Sequence, residues 1–222
     1  MAERLLNLFA TFNYTDDYFA YEDEGRREMR ARITQEVAAL APASHFYTTY
    51  PTKADSDFMI WSAIAADDPA APAQFFTRYA ELVEGWDAVR PDLTLWGMTR
   101  PSMYSRGKSE QDMDPMDGPR APYLIVYPFS KTKDWYLMSM DARQGQMNEH
   151  IKLGKQFFDI KQLLLYSFGL QDQEFVVSYE TEDLGRFSEL VQALRATEAR
   201  RHTLSDTPII TGIYRTPSEF VR

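Results

Sequence analysis

Residues 127–162 read YPFSKTKDWYLMSMDARQGQMNEHIKLGKQFFDIKQ. The stretch opens at the tail of a β-type run and passes through a helical pattern. It closes at Gln162, where a second β-type run starts, so it is a strand–helix–strand unit. Within the helix, Met147, His150 and Gly154 are spaced i−3, i and i+4 and share one face. A methionine on one side of the imidazole and no side chain on the other leave a broad apolar slot suited to a flat ring. Upstream, Tyr127 and Lys131 offer a redox-capable phenol and an ammonium four residues apart.

Working outward, the same order of elements occurs twice. In the first half, Leu5–Tyr14 alternates as a strand, and Glu22–Leu40 carries Met29, Ile33, Val37 and Leu40 at helical spacing. His45–Tyr50 and Asp57–Ala65 read as strands, Ala73–Trp86 as an amphipathic helix and Leu93–Gly97 as a strand. In the second half, strands are expected at Tyr123–Tyr127, Gln162–Phe168, Phe175–Glu180 and Ile209–Tyr214, with a hairpin turn over Gly169–Gln173. Helices are expected at Ser139–Gly154 and at Leu184–Arg195, the latter with Leu184, Phe187, Val191 and Leu194 inward. The expected fold is α+β, two ferredoxin-like βαββαβ halves in one barrel-type subunit. Residues 1–104 form the first half and 121–222 the second. Residues 105–120, polar with two glycines and two prolines, read as a mobile connecting loop.

Of the 222 residues, 44% are hydrophobic and 14% aromatic, enough for a large core. No cysteine is present, which removes disulfides, thiolate metal sites and cysteine nucleophiles. A net charge of −9 argues against a general nucleic-acid partner. No apolar run approaches the ~18 residues needed to span a bilayer, and the expected setting is cytoplasmic. An anionic ligand would need a local basic lining, and Arg100, Arg106, Lys108, Arg120, Lys131, Lys133 and Arg143 could supply one.

These motifs resemble the chlorite dismutase-like haem proteins, and within them the coproheme decarboxylases. The carrying residues are Tyr127-Pro128-Phe129-Ser130-Lys131, Trp135-Tyr136, Met147-x-x-His150-x-x-x-Gly154 and Ser167-Phe168-Gly169-Leu170. Thr197-Glu198-Ala199-Arg200 and Asp206-Thr207-Pro208-Ile209 follow near the end. The resemblance covers Ala121 to Tyr214 well and the earlier part weakly. It implies halves packed sheet against sheet and subunits assembled into a ring, usually a homopentamer.

The resemblance implies roles. His150 becomes the proximal iron ligand, with Glu198 as the candidate partner of its other ring nitrogen. Tyr127 becomes a one-electron relay beside a reactive propionate, and Lys131 pairs with that propionate or moves its proton. Pro128, Phe129, Ser130, Met147 and Arg200 complete the expected porphyrin-binding set, with Arg143, Tyr104 and Arg106 as weaker propionate candidates. Phe129 departs from the family, which often has methionine there. Counting back from Ser167-Phe168-Gly169-Leu170 puts Gln162 at the distal position, where chlorite-decomposing relatives carry arginine; counting forward from His150 points to Leu163. Strands tolerate length changes less than connections do, which favours Gln162. His45 and His202 are expected to be structural.

The implied reaction is peroxide-dependent oxidative decarboxylation of iron coproporphyrin III (coproheme) to haem b through a tyrosyl radical. The rivals are a chlorite dismutase-like or peroxidase-type haem enzyme and a non-enzymatic haem-binding or haem-sensing protein. A neutral Gln162, with no charge to retain hypochlorite, argues against chlorite decomposition.

Overall fold

The computed structural model describes residues 4–105, 107 and 109–222. Arg106 and Lys108, members of the expected basic lining, lie outside the described residues. The first half runs β1 (Leu5–Tyr14), α1 (Asp16–Ala20), α2 (Asp23–Leu40), β2 (Ala43–Thr48), β3 (Phe58–Ala65), α3 (Ala71–Glu84) and β4 (Val89–Met98). The second runs β5 (Tyr123–Lys131), α4 (Lys133–Leu137), α5 (Met140–Gly154), β6 (Lys161–Tyr166), β7 (Phe175–Thr181) and α6 (Leu184–Arg195). It ends with β8 (Thr203–Ser205), β9 (Ile210–Arg215) and α7 (Pro217–Val221). Both halves therefore carry the expected βαββαβ order. The short elements α1, α4, β8 and α7 were not legible, because three to five residues are too few to display a period.

Within the first half the strands lie β4-β1-β3-β2, and within the second β6-β7-β5-β9, every pair antiparallel. The two sheets do not simply stack. β2 pairs with β9 and β4 with β6, closing these eight strands into one barrel that leaves neither sheet with two free edges. The seams differ in extent: the first has three residue pairs from Phe46↔Arg215 to Thr48↔Ile213, the second only Met98↔Tyr166. At the narrow seam, a side chain on Gly97 would come within 2.7 Å of Ser167 Oγ and 2.9 Å of the Tyr166 carbonyl oxygen, so only glycine lets the backbones approach.

Alternation along the strands divides the apolar residues between the barrel and its outside. Phe9, Trp61, Leu95, Val126, Leu165 and Val176 fill the interior. The outer face of the first half packs Leu6, Phe12 and Ile60 against Met29, Ile33 and Val37 of α2 and against Phe75 and Tyr79 of α3. The outer face of the second half carries α5 and α6, with Leu190 of α6 packed in one cluster with Val177 and Tyr179 of β7.

Two expectations need correction. β5 runs four residues past Tyr127, straight through Pro128. Pro128 falls between the end of the β9 ladder at Val126↔Ile210 and the start of the β8 ladder at Ser130↔Ser205, a gap where a missing N–H is tolerated. The connection 105–120 is also anchored at several points rather than free along its length. Met113 is buried in the barrel, the Pro115 carbonyl lies 2.9 Å from His45 Nε2, and Arg120 pairs with buried Glu180 at 3.5 Å. Among the described residues, no helix is long and apolar enough to cross a membrane.

Candidate functional site

Helix α5 begins cleanly. Ser139 caps it by accepting from the Ala142 N–H at 3.2 Å, and Asp141 in the first turn suits the positive end of the helix dipole. Yet α5 buries no residue fully, although it lies on the outer face of a sheet. Three buried polar atoms on this helix have no hydrogen-bond partner among the described residues: Arg143 Nε, Gln146 Oε1 and His150 Nδ1. Such atoms are costly unless something else meets them. One turn beyond His150, a side chain on Gly154 would meet nothing within 4 Å, although its backbone is plainly helical.

The sheet beneath shows the matching deficiency. Leu163 and Leu165 of β6 point into the barrel, so Gln162, Leu164 and Tyr166 face the helix side. Gln162 is exposed there and Leu164 is 38% exposed. Gln162 stands opposite Tyr179, and Leu164 opposite Val177, which in turn stands opposite Tyr127. The face therefore separates the two counts made from sequence, since Leu163 belongs to the barrel core.

Tyr127 packs with Val177 and Tyr179, and its ring lies 6.1 Å from that of Tyr179. Burial raises its phenol well above the ordinary tyrosine range, helped by the charge and hydroxyl of Tyr179. The Tyr127 ring also walls a cavity of about 380 Å³ beneath α6, with Phe187, Val191, Arg195 and Ile209. Phe187 and Val191, which line that cavity, are only half-buried; Leu194 is also half-buried, and Leu184, expected to point inward, is exposed.

Lys131 ends β5 with its ammonium 4.6 Å from the Trp135 ring centre and donating to the Ala199 carbonyl at 3.1 Å. Burial pulls its pKa down to about 8, opposed by the carboxylate of Glu174. Its charge reaches His150, whose pKa is lowered to about 4 by burial first and by Lys131 second, with Glu149 opposing. His150 is thus a neutral imidazole at any ordinary pH, the form that ligates metals.

The remaining expected residues divide. Met147 is half-buried on the His150 face. Pro128 is buried, Phe129 stacks on Phe175 at 4.5 Å, and the Ser130 hydroxyl accepts from the Glu174 N–H at 3.3 Å, so all three brace β5. Arg200 is not a free cation, because it and Arg195 share Asp206 at 3.0 and 2.9 Å. Glu198 is not the partner of His150. Its carboxylate pairs with Arg201 at 3.3 Å, and its N–H donates to Glu149 at 3.1 Å. Tyr104 packs edge-on against Trp135, and its carbonyl accepts from Gln144 on α5 at 3.1 Å.

Sequence reasoning passed over Glu174, which accepts from the Lys131 N–H at 2.7 Å and from the Tyr136 hydroxyl. It also passed over Tyr179. Both sit on the return arm of the β6–β7 hairpin, and nothing local announces what strand pairing brings to them.

The sequence profile described as Chlorite dismutase matches residues 22–215. The chain belongs to the chlorite dismutase family. Coproheme decarboxylase of Mycolicibacterium smegmatis is 30% identical over 166 residues, spanning 75% of this chain and 70% of that relative. Chlorite dismutase of Ideonella dechloratans is 24% identical over 214 residues, spanning 92% and 74%. The solved chlorite dismutase from Candidatus Nitrospira defluvii in complex with imidazole superposes with a TM-score of 0.82, at 24% identity over 98% of this chain and 93% of the other. The shared fold is thereby established.

Members of the chlorite dismutase family are haem-dependent enzymes, and the residues present fit an iron porphyrin. Gly154 has open space where a side chain would stand, Leu164 on the outer face of β6 is exposed, and His150 Nδ1 has no hydrogen-bond partner among the described residues, so apolar surface and one nitrogen are available to such a group.

Proposed function

We propose that this chain decarboxylates two propionates of iron coproporphyrin III to vinyl groups with hydrogen peroxide, giving haem b. The observation carrying this reading is a buried phenol, Tyr127, and a lysine with a pKa of about 8 on one strand, with the Lys131 charge felt at His150. Relatedness to a coproheme decarboxylase at 30% identity supports it. Gln162 supports it too, since a neutral amide brings no charge to hold a chlorite-derived anion beside iron.

Each turnover balances as R–CH2–CH2–COOH + H2O2 → R–CH=CH2 + CO2 + 2 H2O. Bound coproheme supplies both the carboxylates that are lost and the iron at which peroxide is reduced. His150 offers its neutral nitrogen to that iron from the α5 side. Gln162, on the opposite wall, has an amide N–H that can donate to peroxide. Tyr127 surrenders an electron together with its phenolic proton, since burial forbids a phenolate. It regains both as a hydrogen atom taken from the β-carbon of the propionate. Lys131 holds the carboxylate as ammonium and, with a pKa of about 8, can also give up that proton.

The well-packed α2 face of the first half leaves no comparable slot, so in this reading porphyrin binds only to residues 121–222. Assembly into a ring of subunits and a cytoplasmic setting belong to the same reading. Tyr127→Phe tests it: the ring shape remains, so coproheme stays bound, while phenylalanine cannot relay the electron. The expected result is loss of haem b formation by at least ~100-fold, measured by the mass of the extracted porphyrin after peroxide addition. Haem b produced at the wild-type rate by Tyr127→Phe would remove Tyr127 from the mechanism.

A further inference from the structure

Gln111 lies in the connection between the halves, outside every motif that points to the site. Its side-chain amide nitrogen, with two hydrogens to donate, lies within hydrogen-bond distance of three backbone carbonyls and shares those hydrogens among them: Phe157 at 2.9 Å, Ile160 at 3.2 Å and Gly154 at 3.4 Å. These carbonyls belong to the end of α5 and the turn that follows it. A helix end leaves its last carbonyls unsatisfied, and the usual remedy is a left-handed residue just beyond it. Here the residue after α5, Lys155, is right-handed, and the chain continues into a 3-10 turn over Lys155–Phe157. The amide of Gln111 does part of that capping from 43 residues away.

The same segment holds Gln162 from the other side. The Gln162 N–H donates to the Gln111 carbonyl at 2.7 Å, and the Met113 N–H donates to the Gln162 carbonyl at 2.9 Å. Asp112 thereby makes an isolated parallel bridge to Gln162, beyond the hairpin that pairs Gln162 with Tyr179. Met113 is seated in the barrel interior at 4% exposure, and Ser109 fixes the turn by donating to Asp112 at 2.7 Å. The clasp therefore has an apolar anchor on one side and two polar grips on the other.

We propose that Gln111 is a positioning residue that sets the separation of the two walls of the porphyrin slot. It ties the end of the His150 helix to the backbone of Gln162. The inference rests on the assignment of His150 and Gln162 to opposite sides of the iron, and it assigns to the connecting segment a role in catalysis through those two residues.

The test compares Gln111→Met, nearly the same shape without a donor, with Gln111→Lys, whose ammonium can reach the same carbonyls. Two readouts need no turnover: hydrogen exchange of the Met113 and Gln162 amides, and cyanide affinity of the ferric porphyrin-loaded protein. In Gln111→Met both amides exchange at least about tenfold faster, and cyanide affinity shifts at least about threefold. In Gln111→Lys both readouts stay near wild type. Where peroxide turnover is observed, Gln111→Met lowers kcat with coproheme affinity unchanged. Unchanged exchange in Gln111→Met overturns the clasp. Faster exchange with unaltered cyanide affinity overturns the positioning role and leaves only a structural one. Failure of the decarboxylase reading shows separately, as a wild type that binds coproheme without converting it.

Discussion

The two halves have the same order of elements and the same strand arrangement, yet their helices treat the sheet oppositely. α2 seals its face, with Met29, Ile33 and Val37 buried and Ile33 wholly inaccessible. α5 occupies the equivalent place, buries nothing fully and leaves Leu164 and Gln162 uncovered. One topology thus gives a sealed face in one half and a partly uncovered face in the other. The difference lies in a few positions on one helix face, where apolar side chains give way to Arg143, Gln146, His150 and Gly154. A half that keeps its fold while leaving polar atoms unmet is one whose missing contacts a ligand can supply.

The comparison is broken most directly at its most buried point. Ile33→Ala should cost about 3–4 kcal/mol of unfolding free energy, since a buried isoleucine leaves a cavity. Porphyrin affinity of the folded protein should not change. Met147→Ala on the half-buried α5 face should cost less than about 1 kcal/mol but weaken porphyrin binding, as denaturant titrations beside absorption titrations would show. Equal stability losses at the two positions would erase the distinction between the halves.

A second comparison sets His45 against His150. Burial lowers both to about 4, but His45 is bonded to the Pro115 carbonyl, while His150 Nδ1 has no partner among the described residues. Between pH 6.5 and about 4 the unfolded chain binds a proton at His45 that the folded chain refuses. His45 therefore lowers stability as pH falls through that window, by up to about 3 kcal/mol, and adds no further loss below it. His45→Gln should remove its share of that slope in apo-protein, leaving the share contributed by His150, and should leave the porphyrin spectrum alone. His150→Gln should shift the spectrum.

The smallest effect has opposite signs in the two states. Gly154→Ala adds a methyl into open space on a right-handed helical backbone and should stabilise the apo-protein by about 0.5–1 kcal/mol. In the slot that methyl takes room from the ring, so porphyrin affinity should fall. An unchanged affinity would place the ring elsewhere.

Much of the molecule was legible because its signals are local. The 2.0 and 3.6 periodicities marked the long strands and helices, and their repetition gave the two halves. The placing of Met147, His150 and Gly154 on one face of a helix is decided by helix geometry alone. The direction of a β6 side chain likewise follows from alternation once the register is known, and the register puts Leu163 in the barrel and Gln162 on the helix side. Other features depend on atoms far apart in the chain. Strand pairing at the β2–β9 and β4–β6 seams decided that two sheets become one barrel. Ion pairing decided that Arg200 answers to Asp206 and that Glu198 turns away from His150. Burial, which sums over every neighbour, brought Lys131 to about 8 and His150 to about 4. The Gln111 clasp is the extreme case. A glutamine in a polar loop carries no periodic signal, and only the closed fold brings its amide to the carbonyls at the end of α5.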